Sequence, residues 1–244
     1  MSLISEKPTR HNCPKSRGGS RYWTAENNCH LELEQWEVSF VDTNGGFDKW
    51  MGKYGSAVLM FDCEWSHWDK GVGLIQFATE TSVQKVLVVD CTGPVDLTNI
   101  QNVFRGNRMV GWAIVNDAKH LSLSETNHVI DLQAVPSHKN REDSPFRLLN
   151  KEDKNRIEAY QPMDNQGNPH HNQWNLDDMA RCILGHDVKV PIVKHPNWSS
   201  KNWKFKDKDI HYAANDVIGV AYIYKHLEYI YGKTTSQAPI DIFF

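Results

Sequence analysis

Asp62 and Glu64 stand in the run Phe-Asp-Cys-Glu-Trp, directly after the apolar residues 57–61. Successive side chains of a strand point to opposite faces, so both carboxylates share one face and Cys63 takes the other. Two like charges ~4 Å apart repel by roughly 4 kcal/mol at an effective dielectric of 20. A cation between them reverses that sign, and hard oxygen donors select Mg2+, Mn2+ or Ca2+. Alone, an acid pair at a strand end is weak evidence and more often serves a structural role. Asp117, in the stretch Gly-Trp-Ala-Ile-Val-Asn-Asp-Ala-Lys-His-Leu, falls where a helix should begin after an apolar strand. Its structural alternative is a first-turn carboxylate favoured by the helix dipole. Asp216 follows Tyr212 by four residues, which puts phenol and carboxylate on one face of a helix. That pairing is common on amphipathic helices.

The elements that must position these groups are legible in the surrounding pattern. Residues 57–61, 73–78 and 85–90 are short apolar runs rich in branched side chains and separated by polar turns, which predicts three sequential strands. Residues 97–104 fit a short amphipathic helix, 108–113 a fourth strand, 116–121 the start of another helix and 128–135 a fifth strand or its edge. Strands first, then strand and helix alternating, predict an α/β fold with helices packed on a mixed sheet. A helix is expected over 174–185, capped by Asn175 and ended by Gly185. The longest helix is expected over 209–231, where Ile210, Ala214, Val217, Ala221, Tyr224 and Leu227 recur at helical spacing. Residues 136–173 carry balanced charge and few apolar side chains and read as a surface insertion with one helical stretch near Glu152–Tyr160. Residues 1–33 are polar, broken by Pro and Gly, and read as a flexible tail ahead of a single domain over 34–244. His11, Cys13, Cys29 and His30 within the tail match no standard zinc spacing.

The 244 residues, 40% hydrophobic and 23% charged, suit one globular domain with a real core and argue against disorder. No stretch approaches the ~18–20 apolar residues of a membrane span, and the start lacks a secretory signal. Five cysteines without CxxC spacing do not form a disulfide framework, so the chain reads as intracellular, nuclear or cytoplasmic, rather than secreted. A net charge of −3 speaks against a passive nucleic-acid coat but not against an enzyme whose metal-binding carboxylates lower the count. Locally basic ground exists over 1–30 and 186–208. A phosphate-binding P-loop is disfavoured, because Gly52-Lys53 is followed by Tyr54 and Phe47 stands where the first glycine belongs. The run 71–76 begins like a dinucleotide fingerprint but ends in Gln76 and opens a strand.

Taken together, Asp-x-Glu on a first strand, Asp at a helix start after a later strand, and Tyr-x3-Asp on a C-terminal helix resemble the three motifs of the DEDD 3′–5′ exonucleases. The resemblance runs over roughly residues 56–231, and Tyr212 points to the tyrosine branch that includes ribonuclease D and the Werner-type exonuclease domain. Asn197-Trp198-Ser199 ahead of Tyr-Ala-Ala-Asn-Asp-Val is most similar to the Werner type. The long connection at 136–173 and the N-terminal tail depart from the pattern. They leave room for a protein partner.

That resemblance implies an RNase H-like fold and hydrolysis of the terminal phosphodiester at a free 3′ end of DNA or RNA, releasing nucleoside 5′-monophosphates. It implies two divalent cations, Mg2+ or Mn2+. Asp62, Glu64 and Asp216 would hold one, while Asp62 would bridge to a second that Asp117 supports through water. Tyr212 would orient the attacking water. The histidine branch uses His-x4-Asp, and His211 stands five residues before Asp216. Five residues rotate ~500° on a helix and leave the face that four residues keep. The reading therefore favours Tyr212. Trp65 could stack on a terminal base, or could be a packed rim tryptophan. The alternative from another class is a non-catalytic nucleic-acid-binding or scaffold module on the same fold.

Overall fold

Apolar side chains build a six-stranded sheet in the order β1 (Glu37–Val41), β4 (Lys85–Asp90), β3 (Val72–Thr79), β2 (Val58–Trp65), β5 (Arg108–Gly111) and β6 (Val129–Asp131). The computed structural model describes residues 36–55, 58–65, 71–79, 84–123, 129–162, 174–185, 198, 200 and 204–231. The tail 1–33, with its histidines and cysteines, lies outside the described residues. Strands β2 (Val58–Trp65), β3 (Val72–Thr79) and β4 (Lys85–Asp90) pair antiparallel in sequence, as the three apolar runs predict. Strands β5 (Arg108–Gly111) and β6 (Val129–Asp131) add parallel to β2 and β5, so their C-terminal ends share one edge of the sheet with that of β2. Strand β1 (Glu37–Val41) pairs parallel with β4.

Helices cover both faces. On one side α1 (Asn44–Tyr54) contributes Phe47 and Trp50, and α2 (Leu97–Gly106) contributes Ile100 and Phe104. They pack on Leu59, Phe61, Cys63, Ile75, Phe77, Leu87 and Val89. Phe61 and Phe104 meet edge to face with centroids 4.7 Å apart, a geometry worth about 0.5–1.5 kcal/mol beyond its buried area. On the other side α7 (Asp207–Tyr231) lies across β1 to β5. Ala213, Ala214, Val217, Ile218, Val220, Ile223 and Leu227 are all buried, while Lys208, His211 and Lys225 stay exposed. Helix α6 (Leu176–Ile183) packs on α7 behind an Asn175–Asp178 capping box, and Gly185 follows it at φ +79°. Among the described residues no helix is long and apolar enough to cross a membrane.

Two expectations are corrected. The strand predicted over 128–135 ends at Asp131, whose carboxylate accepts from the Gln133 amide and turns the chain into α4 (Ala134–Ser137). The segment 136–173 is, over its described part, no surface decoration. A 3₁₀ turn (Pro145–Leu148) and α5 (Lys151–Ala159) place Phe146, Leu149 and Ile157 in the core that holds α6 and α7. Asp153 is buried with them, held by Tyr229 (2.8 Å), Asn150 (2.8 Å) and His226 (3.0 Å), which ties α5 to α7. The remainder, 163–173, lies outside the described residues. Strand β1 and helix α1 had no counterpart in the sequence reading.

Candidate metal centre

Strand alternation sends Leu59, Phe61 and Cys63 into the α1–α2 layer, and Met60 into the α7 layer. Asp62 and Glu64 continue the Met60 set and meet Asp216 of α7. One carboxylate oxygen from each of Asp62, Glu64 and Asp216 lies within 4.8 Å of the others. Asp216 is buried at 3% exposure, and Asp62 and Glu64 are half-buried. Tyr212 lies one turn before Asp216 and is buried, whereas His211 is inside α7 and exposed. The Tyr212 ring stacks on Trp198 with centroids 6.0 Å apart, and Trp198 stacks in turn on Phe205. Trp198 is buried at 4% exposure. Gly73 makes room for it, since a Cβ there would lie 1.9 Å from the Trp198 carbonyl oxygen. Asn197, Ser199 and Trp203 lie outside the described residues.

Asp117 sits on α3 (Val115–His120), buried at 6% exposure, and is not one of the three converging acids. Its Oδ1 accepts from Trp65 Nε1 at 3.0 Å, and the Trp65 ring stacks on His120. Helix α3 has no side-chain cap of its own. The turn that launches it passes through Ala113 at φ +54°, a conformation that costs a non-glycine residue of order 1–3 kcal/mol. Asp131, at the end of β6, holds that turn by accepting from the Ala113 amide at 2.9 Å and from Ile114. Burial pushes Asp117 above the usual carboxylate range; the Trp65 bond opposes this and the Asp131 charge adds to it. Burial likewise raises Asp131, against the backbone amides it holds. The thiol of Cys63 is raised by burial first and then by the charges of Asp117 and Asp62.

This arrangement can hold a cation. Three carboxylates from two elements converge, the donors are all oxygen, and the cluster concentrates negative charge that a hard divalent ion would neutralise. Sequence reasoning missed three neighbours. Asp131 was absorbed into a strand, although an acid ending an apolar run was the same signal that singled out Asp62. Gln76, paired across the sheet with Asp62, is fully buried, and neither its amide oxygen nor its nitrogen has a hydrogen-bond partner among the described residues. His120 carried no signal, because its contact with Trp65 joins residues far apart in the chain.

No family profile matches the chain, and no curated protein sequence matches it. Solved structures do. The EXO domain of Aedes aegypti Nibbler superposes with a TM-score of 0.56 at 18% identity, covering 84% of this chain and 92% of that one. Escherichia coli RNase D, described as an exoribonuclease involved in structured RNA processing, gives 0.54 at 16% identity over 84% of this chain and 48% of its own. The catalytic core of RRP6 from Trypanosoma brucei gives 0.53 at 14% identity over 83% and 50%. The chain thus spans about half the length of the last two. The likeness is one of fold, and the fold is the RNase H-like α/β class of these exonuclease domains.

Proposed function

We propose that this protein is a metal-dependent 3′–5′ exonuclease that hydrolyses the terminal phosphodiester of DNA or RNA and releases nucleoside 5′-monophosphates. The observation that carries the reading is the convergence of Asp62, Glu64 and Asp216 within 4.8 Å, on an exonuclease-type fold. Asp62, Glu64 and Asp216 would hold one Mg2+ or Mn2+, with Asp62 and Asp117 supporting a second. Bound divalent ions supply charge stabilisation at the attacking and leaving oxygens of an in-line displacement. Tyr212 would orient the attacking water through its phenol. Its burial on the face of Asp216, with His211 exposed in the same helix, favours it over the histidine. The substrate would be a nucleic acid with a free 3′ end, and the 136–173 segment or the tail could receive a protein partner.

The test is digestion of matched 3′-labelled and 5′-labelled DNA and RNA oligonucleotides, single-stranded and recessed, with Mg2+ or Mn2+. The 3′ label should leave at once as a mononucleotide while the 5′-labelled strand shortens stepwise. EDTA and Asp62→Asn should abolish both. Binding without hydrolysis, on every substrate and with either metal, would leave the non-catalytic nucleic-acid-binding module as the correct reading.

A further inference from the structure

Trp65 follows Glu64 on β2, and the sheet register shifts between them: Glu64 pairs with Leu74, whereas Trp65 pairs with Val72. Alternation along the strand still sends the two side chains to opposite faces. Glu64 joins the three-carboxylate cluster, and Trp65 packs with the layer of Phe61 and Cys63. There it grips α3 at two points. Its Nε1 donates to Asp117 Oδ1 at 3.0 Å, and its ring stacks on His120 with centroids 4.3 Å apart and planes 25° from parallel. Asp117 and His120 are three residues apart, so they lie on one side of the helix.

Helix α3 is only 6 residues long, lacks a side-chain cap, and starts from the strained Ala113. A single turn and a half has little stability of its own. The position of Asp117 is therefore set by what clamps α3, and Trp65 is the clamp that comes from the strand carrying two of the converging acids. A base-stacking platform would present its ring to the substrate. Here His120 occupies one face of the ring, and the indole N–H is engaged by Asp117.

We infer that Trp65 is a positioning residue. It fixes the Asp117 carboxylate relative to Asp62, Glu64 and Asp216, and thereby couples β2 to α3. The inference rests on the metal-dependent reading of the site. Partners of this kind, which orient a ligand without touching the metal, typically change metal affinity or activity by 10–100-fold when removed.

The experiment compares Trp65→Phe, which keeps an aromatic ring on His120 but removes the donor, with Asp117→Ala and the double variant. Mn2+ binding is titrated on the nucleic-acid-free protein, and turnover is measured on one labelled oligonucleotide. Trp65→Phe should weaken Mn2+ binding and lower kcat by about tenfold or more while KM for the oligonucleotide stays within twofold. In the Asp117→Ala background the same substitution should change neither by more than twofold. A rise in KM with kcat preserved would overturn the inference in favour of base stacking. So would a Trp65→Phe effect that persists in full without Asp117, since that marks a packing role. If the wild-type protein cleaves no nucleic acid, the exonuclease reading fails, but the Mn2+ titration of the four proteins still decides the coupling.

Discussion

Neutralising Asp62 should make the metal-free protein more stable and the metal-loaded protein less so. Carboxylate oxygens within 4.8 Å of one another repel by about 3.5 kcal/mol per ionised pair at an effective dielectric of 20. Asp62 takes part in two such pairs, with Glu64 and with Asp216. Both Asp62 and Glu64 are half-buried, so solvent screening reduces the combined relief to about 1–2 kcal/mol. For a domain of this size that raises Tm by roughly 2–8 °C. In the wild type, Mg2+ at a hundred times its Kd adds about 2.7 kcal/mol, or roughly 5–10 °C. Asp62→Asn removes a ligand from the cluster and should lose most of that increment. The assay is thermal unfolding of both proteins in EDTA and over a Mg2+ titration, with far-UV circular dichroism to show that the fold is kept. The two curves should cross: the variant melts higher in EDTA and the wild type higher in Mg2+. A variant that melts lower than wild type in EDTA would show that Asp62 is held by structural bonds and not by a cation. A Mg2+ increment equal to that of wild type would show that the cluster is not the site of binding.

Three further outcomes follow from named contacts. Tyr212→Phe should keep the ring on Trp198 and the Mg2+ increment but lower single-turnover rates by about 10²-fold, the low end for a water-positioning group, whereas His211→Ala should stay within a few-fold; the reverse pattern would assign the site to the histidine. Ile157→Ala, inside the segment read from sequence as surface, should cost about 2–5 kcal/mol in denaturant unfolding, and a loss under 0.5 kcal/mol would return α5 to the periphery. Burial works against the Asp153 carboxylate, but bonds from His226, Tyr229 and Asn150 outweigh it and hold its pKa below the usual value. A lowered folded-state pKa gives stability that is present above the unfolded value and lost as pH falls through the folded one. Asp153→Asn should therefore be less stable at neutral pH and flatten the acid limb of a stability–pH curve; an unchanged limb would exclude Asp153 as its source.

How far the sequence could be read follows from which interactions are local. The strands β2, β3 and β4 and the caps of α6 are set by neighbours in the chain, and they stand where alternation and Asn175 put them. Strand β1 left little trace, because it is five residues long at the sheet edge and leaves Phe40 exposed. Helix α1 begins Asn-Gly-Gly, two glycines that argue against a helix until Thr43 caps it and Phe47 and Trp50 find the core. The 136–162 segment was misjudged by counting apolar residues. Burial depends on where a few of them point, and Phe146, Leu149 and Ile157 point inward while Ser144 and Asp153 follow them with their bonds satisfied.

The candidate site divides along the same line. Asp62 and Glu64 are two residues apart, and Tyr212 and Asp216 four, so each pair announces its shared face. What aligns one pair with the other is the sheet. A slip of one residue in the register of β2 would turn Asp62 and Glu64 towards α2 and leave Asp216 facing Cys63. The parallel pairing of Val58 with Arg108 and Met60 with Val110 excludes that slip and brings Gly111 beside Phe61, where a Cβ would lie 2.9 Å from the ring. Only at that height does the turn through Ala113 present Asp117 to Trp65. The bonds that then fix it span 18 residues, from Asp131 to Ala113, and 52, from Trp65 to Asp117. Neither spacing has a local signature, which is why the acid itself could be named from the sequence while the residues that hold it could not.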